Sequence, residues 1–363
     1  MQKNYYSVIK GTGSFIPNKV VKNEDFLDAT FYDESGVKMD KENEEIIQKF
    51  MEITGIHERR YLEDHQVTSD LSFLAAKAAL EDAQTDREEL DYIIVAHNFG
   101  DVKKSTGSVD MLPSLASRVK QKLGIENPFT VAYDIIFGCP GWIQGLIQAN
   151  YYIQAGDAKR IMVIGSDALS RVSDPHDRDS MIFADGAGAT ILEAQESDEP
   201  VGILSHVTRS DALNEAYLMW MERSNNPNYP GDEIFLKMNG RKQFEYALNT
   251  VPPLVKQTVE KAGIDVHDIK KVLIHQANEK MDQAMLKRFF KLYGIKDIPI
   301  DIMPMTISKL GNNSVGTIPI MLDLILKGEM ENQSLNPGDP IVLVSVGAGM
   351  NINSIIYQFP ETD

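Results

Sequence analysis

The chain has 363 residues, 43% of them hydrophobic, which is enough for one large domain or two fused ones with filled cores. A formal net charge of −17 and a pI near 4.9 exclude a general binder of nucleic acid or of anionic membranes, because such binding needs clustered cations; an acidic partner must dock on a local basic patch. The start, MQKNYYSVIKGTG, lacks a cleavable apolar leader, and no apolar run approaches the ~18 residues of a membrane helix, so a cytoplasmic protein is expected. A single cysteine cannot form an intramolecular disulfide, and His and carboxylates are scattered, so neither a metal nor a bound cofactor is expected.

In chain order, YYSVIKGTG (5–13) reads as a strand. The charged stretch FYDESGVKMDKENEEIIQK (31–49) then breaks the rhythm and reads as an insertion, a solvated surface helix with its loop. SDLSFLAAKAALEDA is a helix capped by Ser69 or Asp70. LDYIIVAH (90–97) and FTVAYDIIF are strands, and PGWIQGLIQANYYIQAG is a helix that opens on Pro140 and closes at Gly156. RIMVIGSD (160–167) and KKVLIHQAN (270–278) are further strands. Strands alternating with longer helical patterns predict a layered α/β architecture.

The chain also repeats itself. LDYIIVAHN resembles KKVLIHQAN, GCPGWIQGLI resembles GNNSVGTIPI, and MIFADGAGATILEA resembles GAGMNINSIIYQF, in the same order and at nearly the same offset. This pattern predicts a duplicated unit, with residues 1–195 forming one half and 196–363 the other.

Cys139 lies in FGCPGW, between a strand and the mouth of a helix. Unpaired N–H groups and the helix macrodipole favour the thiolate there, which is the reactive form of cysteine. A lone cysteine is more often a small buried hydrophobe, but a strand, Gly, Cys, Pro, Gly, helix setting suits a nucleophile. His275 follows a buried strand and opens the polar turn HQANEK, so its ring projects from the end of a sheet. Asn312, in LGNNSVG, stands at a helix start, where capping alone accounts for an asparagine. Together the three occupy strand ends and helix mouths of a duplicated sheet, where one cavity collects them. A thiolate with two neutral hydrogen-bond donors, and no carboxylate to orient the histidine, suits thioester chemistry. The cysteine takes an acyl group, while His and Asn hold the oxygen of an enolate.

At these residues, and along nearly its whole length, the sequence resembles the beta-ketoacyl-[acyl-carrier-protein] synthase III family of thiolase-fold condensing enzymes. IKGTGSFIPNKVVKN, TGIHERR, the turn at Cys139, IGSDALSRVSDPHDR, FADGAGATIL, HQAN, GNNS and GAGM stand in the family's order. The Cys, His, Asn set separates it from elongating synthases, which carry Cys, His, His, and from thiolases, which use a second cysteine. The resemblance implies a thiolase-like five-layered αβαβα fold from two duplicated halves, the first carrying the nucleophile and the second His275 and Asn312. It further implies an acyltransferase of fatty acid biosynthesis. An acyl-CoA or other acyl thioester acylates Cys139, malonyl-ACP loses carbon dioxide, and the enolate attacks the acyl-enzyme to give a 3-oxoacyl-ACP. His275 and Asn312 would bind the thioester carbonyl, and the amides of Cys139 and Ala348 would form the oxyanion hole.

Arg178, Phe244 and Asn278 match positions along the family's CoA channel, and Leu112 matches a residue that crosses a homodimer interface to floor the partner's acyl pocket. Acyl carrier protein would dock on Arg241, Lys242, Lys280, Lys287 and Arg288. One departure stands out: the Trp and Arg that hold the adenine end of CoA in the family are matched here by Lys49 and Ile53. It opens an alternative, a specialised condensing enzyme that couples longer acyl chains in a secondary lipid or pigment pathway, with the primer arriving on CoA or on a carrier protein. Of two other classes, a cysteine hydrolase lacks its local signature around Cys139, and a non-catalytic acyl binder is opposed by the intact Cys139, His275 and Asn312.

Overall fold

Period-two alternation of apolar residues decides the architecture of this computed structural model, which describes residues 4–361. In the strand Tyr92–Ala96, Ile94 and Ala96 face one core while Ile93 and Val95 face another. Arg160–Ala168 repeats the pattern, with Ile161 and Val163 on one side and Met162 and Ile164 on the other. Strands buried on both faces need cover on both faces, and helices supply it.

The first sheet has five strands in the order Tyr5–Phe15, Asp185–Glu196, Arg160–Ala168, Tyr92–Ala96 and Val131–Ile135. The second has four, in the order Gly202–Ser210, Asn351–Gln358, Pro340–Gly347 and Lys271–Ile274. Deleting Val131–Ile135 from the first leaves the order of the second, so the duplication is a matter of topology as well as of sequence. Where the first half has that edge strand, the second has the short 3-10 turn Ile300–Ile302. We propose the junction of the halves at 195/196, because the first sheet's last strand ends at Glu196 and the second sheet's first strand begins at Gly202.

Helices Gly141–Ala155 and Thr317–Leu326 lie between the sheets, in a single core that takes Ile94 and Val163 from one sheet and Leu273 and Leu343 from the other. Thr68–Ala83 and Leu115–Leu123 cover the outer face of the first sheet. Gly240–Ala262 and Glu279–Lys291 cover the outer face of the second. The result is the expected five-layered αβαβα order.

Two local expectations change. The helix Thr68–Ala83 begins before Ser69; Asp70 is already inside its first turn and accepts the Val67 amide at 2.9 Å, while Ser69 turns to Asp101 at 2.7 Å. The charged segment 31–49 is more than a solvated surface element. It runs into the helix Asn43–Thr54, whose Ile46 and Phe50 are buried with Phe31, Ile56, Met181 and Ile307 in a small core of their own. Helix Gly141–Ala155 follows Pro140 and ends at a left-handed Gly156, as the sequence indicates.

Asp134, on the edge strand, ties three elements together. Its carboxylate accepts the Leu115 and Ala116 amides at 2.7 and 2.8 Å, which open a helix, and lies 3.0 Å from Nε2 of the fully buried His97. Asp134→Ala leaves two amides and an imidazole without their acceptor, and is expected to lower stability by about 3 kcal/mol. The urea midpoint measures this, and a shift no larger than that of an ordinary surface substitution contradicts it.

Candidate active site

The site is built where main chain meets main chain. Between the strand Val131–Ile135 and the helix Gly141–Ala155, Gly138 takes a φ of 65°, and a Cβ on it would lie 2.7 Å from the Ala348 nitrogen. Gly347 is extended, yet a Cβ there would lie 2.4 Å from the Cys139 nitrogen. Two glycines therefore let the turn after Pro340–Gly347 rest directly on the backbone of Cys139 and bring the Cys139 and Ala348 amides together.

His275 continues the strand Lys271–Ile274, its amide donating to Val344 O at 3.0 Å, and its side chain is buried. Its topological counterpart, His97, is held by Asp134, whereas Nδ1 of His275 is buried with no hydrogen-bond partner among the described residues. Nε2 is thus the nitrogen that can reach the cavity. Burial drives the imidazole down to about 4, so the ring is neutral through the physiological range.

Asn312 bridges to the first half: its amide donates to Ile182 O at 3.0 Å, and Ala184 N donates to its carbonyl at 2.9 Å. Its side-chain oxygen accepts Ser314 N at 2.8 Å, a local turn rather than the expected helix cap, since Asn313 is the cap of the 3-10 turn Ser314–Gly316 and Gly316 that of the helix Thr317–Leu326. That bond also fixes the orientation of the amide. With Oδ1 engaged, the NH2 group has no partner among the described residues and is left to donate.

Cys139, His275 and Asn312 line one small cavity of about 50 Å³, with Phe183, Met219 and Met350. Cys139 and Asn312 also line its neighbour, an apolar cavity of about 330 Å³ walled by Phe99, Leu169, Phe183, Met219, Trp220 and Leu236. Met219 and Leu236 come from a hairpin, Met219–Glu222 with Phe235–Met238, that the sequence reading did not anticipate. A third cavity of about 470 Å³ shares Ile182 and Met238 with the small one and lies farther from the cysteine. Arg178, Phe244 and Asn278 line it, so three of the four channel residues converge, although Asn278 also caps the helix Glu279–Lys291 by accepting Met281 N at 3.1 Å. Met39, Lys49 and Ile53 form its opposite wall, which puts the 31–49 segment and both departures from the family pattern in the same place. Leu112 reaches none of these cavities in its own chain and is 85% exposed.

The ionisation expected at the helix mouth is opposed by the surroundings. Burial pushes the Cys139 thiol up to about 12; a hydrogen bond from Ser314 offsets part of this, and the charge of Asp167 adds to it. The position of the sulfur is as expected, but its resting form is the thiol. Ser314, and Asn98 and Asp167 behind it, are contacts the sequence reading missed. A serine, an asparagine and an aspartate in turns look like ordinary caps, and nothing in their spacing pointed to the sulfur.

Among the candidate docking cations, Arg241 lines the outer cavity beside Glu245, 3.2 Å away, and Lys242, Lys280 and Lys287 are exposed. Arg288 is tied down, donating to Leu248 O at 3.0 Å and to Asn249 Oδ1 at 2.9 Å.

Comparison with known proteins agrees along the whole chain. The family described as 3-Oxoacyl-[acyl-carrier-protein (ACP)] synthase III matches residues 133–212, and its C-terminal part matches 259–359. The beta-ketoacyl-[acyl-carrier-protein] synthase III of Staphylococcus aureus (strain JH1) is 33% identical over 355 residues, 97% of this chain and 98% of that protein. The solved synthase III structures from Thermus thermophilus and Aquifex aeolicus are 29% and 28% identical, with TM-scores of 0.79 and 0.78. They cover 98% and 97% of this chain, each over 100% of its own length. Fold and relatives together define an acyl-transferring condensing enzyme of the thiolase fold. The chain belongs to the 3-oxoacyl-[acyl-carrier-protein] synthase III family.

The backbone contact at Gly347 is open to a direct check. Gly347→Ala places a methyl group against the main chain of Cys139, and is expected to cost about 2 kcal/mol and to abolish the condensing activity. Gly240→Ala, at a position with nothing within 4 Å, is the stability control and should leave the thermal midpoint unchanged. An active, stable Gly347→Ala protein contradicts the packing described.

Proposed function

We propose that the chain joins an acyl thioester primer to malonyl-ACP with loss of carbon dioxide, giving a 3-oxoacyl-ACP through an acyl intermediate on Cys139. In the first step the sulfur of Cys139 bonds to the acyl carbon while the bond from that carbon to the carrier sulfur breaks, and the thiol proton leaves with the carrier thiol. In the second, the malonyl carboxylate departs as carbon dioxide, and the electron pair it leaves forms an enolate. The enolate carbon attacks the acyl group, and Cys139 departs as a thiolate that regains a proton. The two thioesters and one proton from solvent enter, and the 3-oxoacyl-ACP, carbon dioxide and the carrier thiol leave.

The observation that carries this reading is the convergence on one cavity of Cys139 with two neutral side chains, His275 kept uncharged by burial and Asn312 oriented to donate by its bond to Ser314 N. Neutral donors stabilise an enolate oxygen without surrendering a proton to it. The paired amides of Cys139 and Ala348 suit the oxyanion of the acyl-transfer steps, and the apolar cavity beside the sulfur suits an acyl chain.

We also propose that Arg178, Phe244 and Asn278 line the path of the carrier arm, and that Arg241, Lys242, Lys280 and Lys287 form the cationic rim for acidic acyl carrier protein. Arg288 serves as a brace between helices. A homodimer is supported by the exposure of Leu112 and of Phe129, Val131 and Ile136 along the edge strand, an apolar strip of the kind that partners cover. Among the described residues no helix is long and apolar enough to cross a membrane, and the cytoplasm stays our proposed location. A second reading, a specialised enzyme for longer acyl chains, is favoured by the outer cavity, where Met39, Ile46, Phe50 and Ile53 offer apolar surface.

Intact-mass measurement after mixing with acyl thioesters of increasing length should show one adduct per chain, absent in Cys139→Ala, and the preferred length separates the two readings. His275→Ala and Asn312→Ala should still form the adduct but release labelled carbon dioxide from malonyl-ACP ~10² to 10³ more slowly. If His275→Ala abolishes the adduct as fully as Cys139→Ala does, the histidine is the activating base and its assignment to the enolate fails. Reversing Lys280 and Lys287 to Glu should raise KM for the carrier-bound substrate and leave acylation by a CoA thioester unchanged. Equal loss with both substrates would place the docking surface elsewhere.

A further inference from the structure

Beyond the three residues of that scheme, a fourth side chain touches the sulfur. Oγ of Ser314 lies 3.4 Å from Sγ of Cys139. The same oxygen accepts a hydrogen bond from Nδ2 of Asn98 at 3.1 Å. Asn98 is itself clamped by Asp167, whose two carboxylate oxygens accept its backbone amide at 2.9 Å and its Nδ2 at 2.7 Å. Ser314 is 3% exposed and Asp167 1%.

The direction of the hydrogens follows from these partners. An acceptor carboxylate holds one N–H of the Asn98 amide, the other N–H goes to the serine oxygen, and the serine's own hydrogen has two acceptors within reach, the sulfur and the Asp167 carboxylate. Ser314 has a φ of 52°, a conformation that disfavours any side chain and that glycine takes freely. A hydroxyl is present there in spite of that cost.

We propose that Ser314 is a further catalytic residue whose hydroxyl donates to the Cys139 sulfur as its negative charge forms and again as it departs, with Asn98 and Asp167 as positioning residues that direct that hydroxyl. The serine keeps its proton throughout, so the balance of both steps is unchanged. The inference takes from the proposed function only that Cys139 is the nucleophile. The cavity linings around the sulfur carry no charged side chain among the described residues. The titratable groups that face it are His275 across the cavity, Asp167 behind Asn98, and His97 behind Asp167. With no cation to favour the thiolate, the hydroxyl's hydrogen bond adds to what the helix mouth and the Cys139 amide supply.

The test is alkylation by iodoacetamide on the full chain, followed from about pH 6 to about pH 10. Cys139 is the only cysteine in the sequence, so the rate reports on that sulfur whether or not any acyl substrate is accepted. Ser314→Ala and Ser314→Gly are each expected to alkylate about tenfold more slowly at every pH, the loss of one hydrogen bond to a charged group. The glycine variant relieves the backbone strain and so keeps the fold even if alanine does not. Asn98→Ala should slow the reaction in the same direction by a smaller factor. A Ser314→Gly protein that alkylates within twofold of the parent across the range overturns the assignment of the serine. An Asn98→Ala protein with an unchanged profile overturns the relay behind it.

Discussion

Four stretches of main chain meet in two pairs at the site with no side chain between them, and the positions of Cys139, Asn312 and Ser314 depend on those contacts. Gly347 presses on Cys139, Gly138 on Ala348, and a Cβ on Gly165 would lie 2.3 Å from Val315 O. The last pair matters most for register, because Gly165 belongs to a central strand of the first sheet and Val315 to the turn that carries Ser314. It locks the second half's Asn312 and Ser314 at a fixed height over the first half's cysteine. Side chains at these crossings would separate the halves by more than any hydrogen bond in the cavity can span.

Within that frame, burial sets the electrostatics. It moves the thiol and the imidazole in opposite directions, each away from its charged form, so the resting cavity holds neutral groups. In the scheme we propose, charge appears only during reaction, first on sulfur and afterwards on an enolate oxygen, and donors are already aimed where it develops. Hydrogen bonds in a dry cavity are worth more to a developing charge than to a neutral ground state.

Much of this was legible in the sequence. Strand periodicity, the Gly, Cys, Pro, Gly turn and the repeated strings pointed to a layered duplicated fold, and the same strings picked out Cys139, His275 and Asn312. The rest depends on distances across the chain that local pattern does not encode. Ser314 looks like part of a cap until Cys139 and Asn98 are brought to it from more than a hundred residues away. Helix Asn43–Thr54 looks solvated because its acidic residues outnumber the few apolar ones that matter, and the partners of those few, Met181 and Ile307, lie far along the chain. The thiol's ionisation was misjudged for a related reason: a helix mouth is a local feature, whereas enclosure is a tertiary one.

The paired histidines carry a consequence for each half taken alone. His97 and His275 stand at the same place in their halves, yet one is spent holding Asp134 and the edge strand while the other faces the reactants. The cavity takes its cysteine from one copy and its histidine and asparagine from the other, so neither copy alone encloses the set. A single half on its own would therefore lack such a cavity. The matching strand orders of the two sheets thus carry a cysteine in one half and an asparagine in the other.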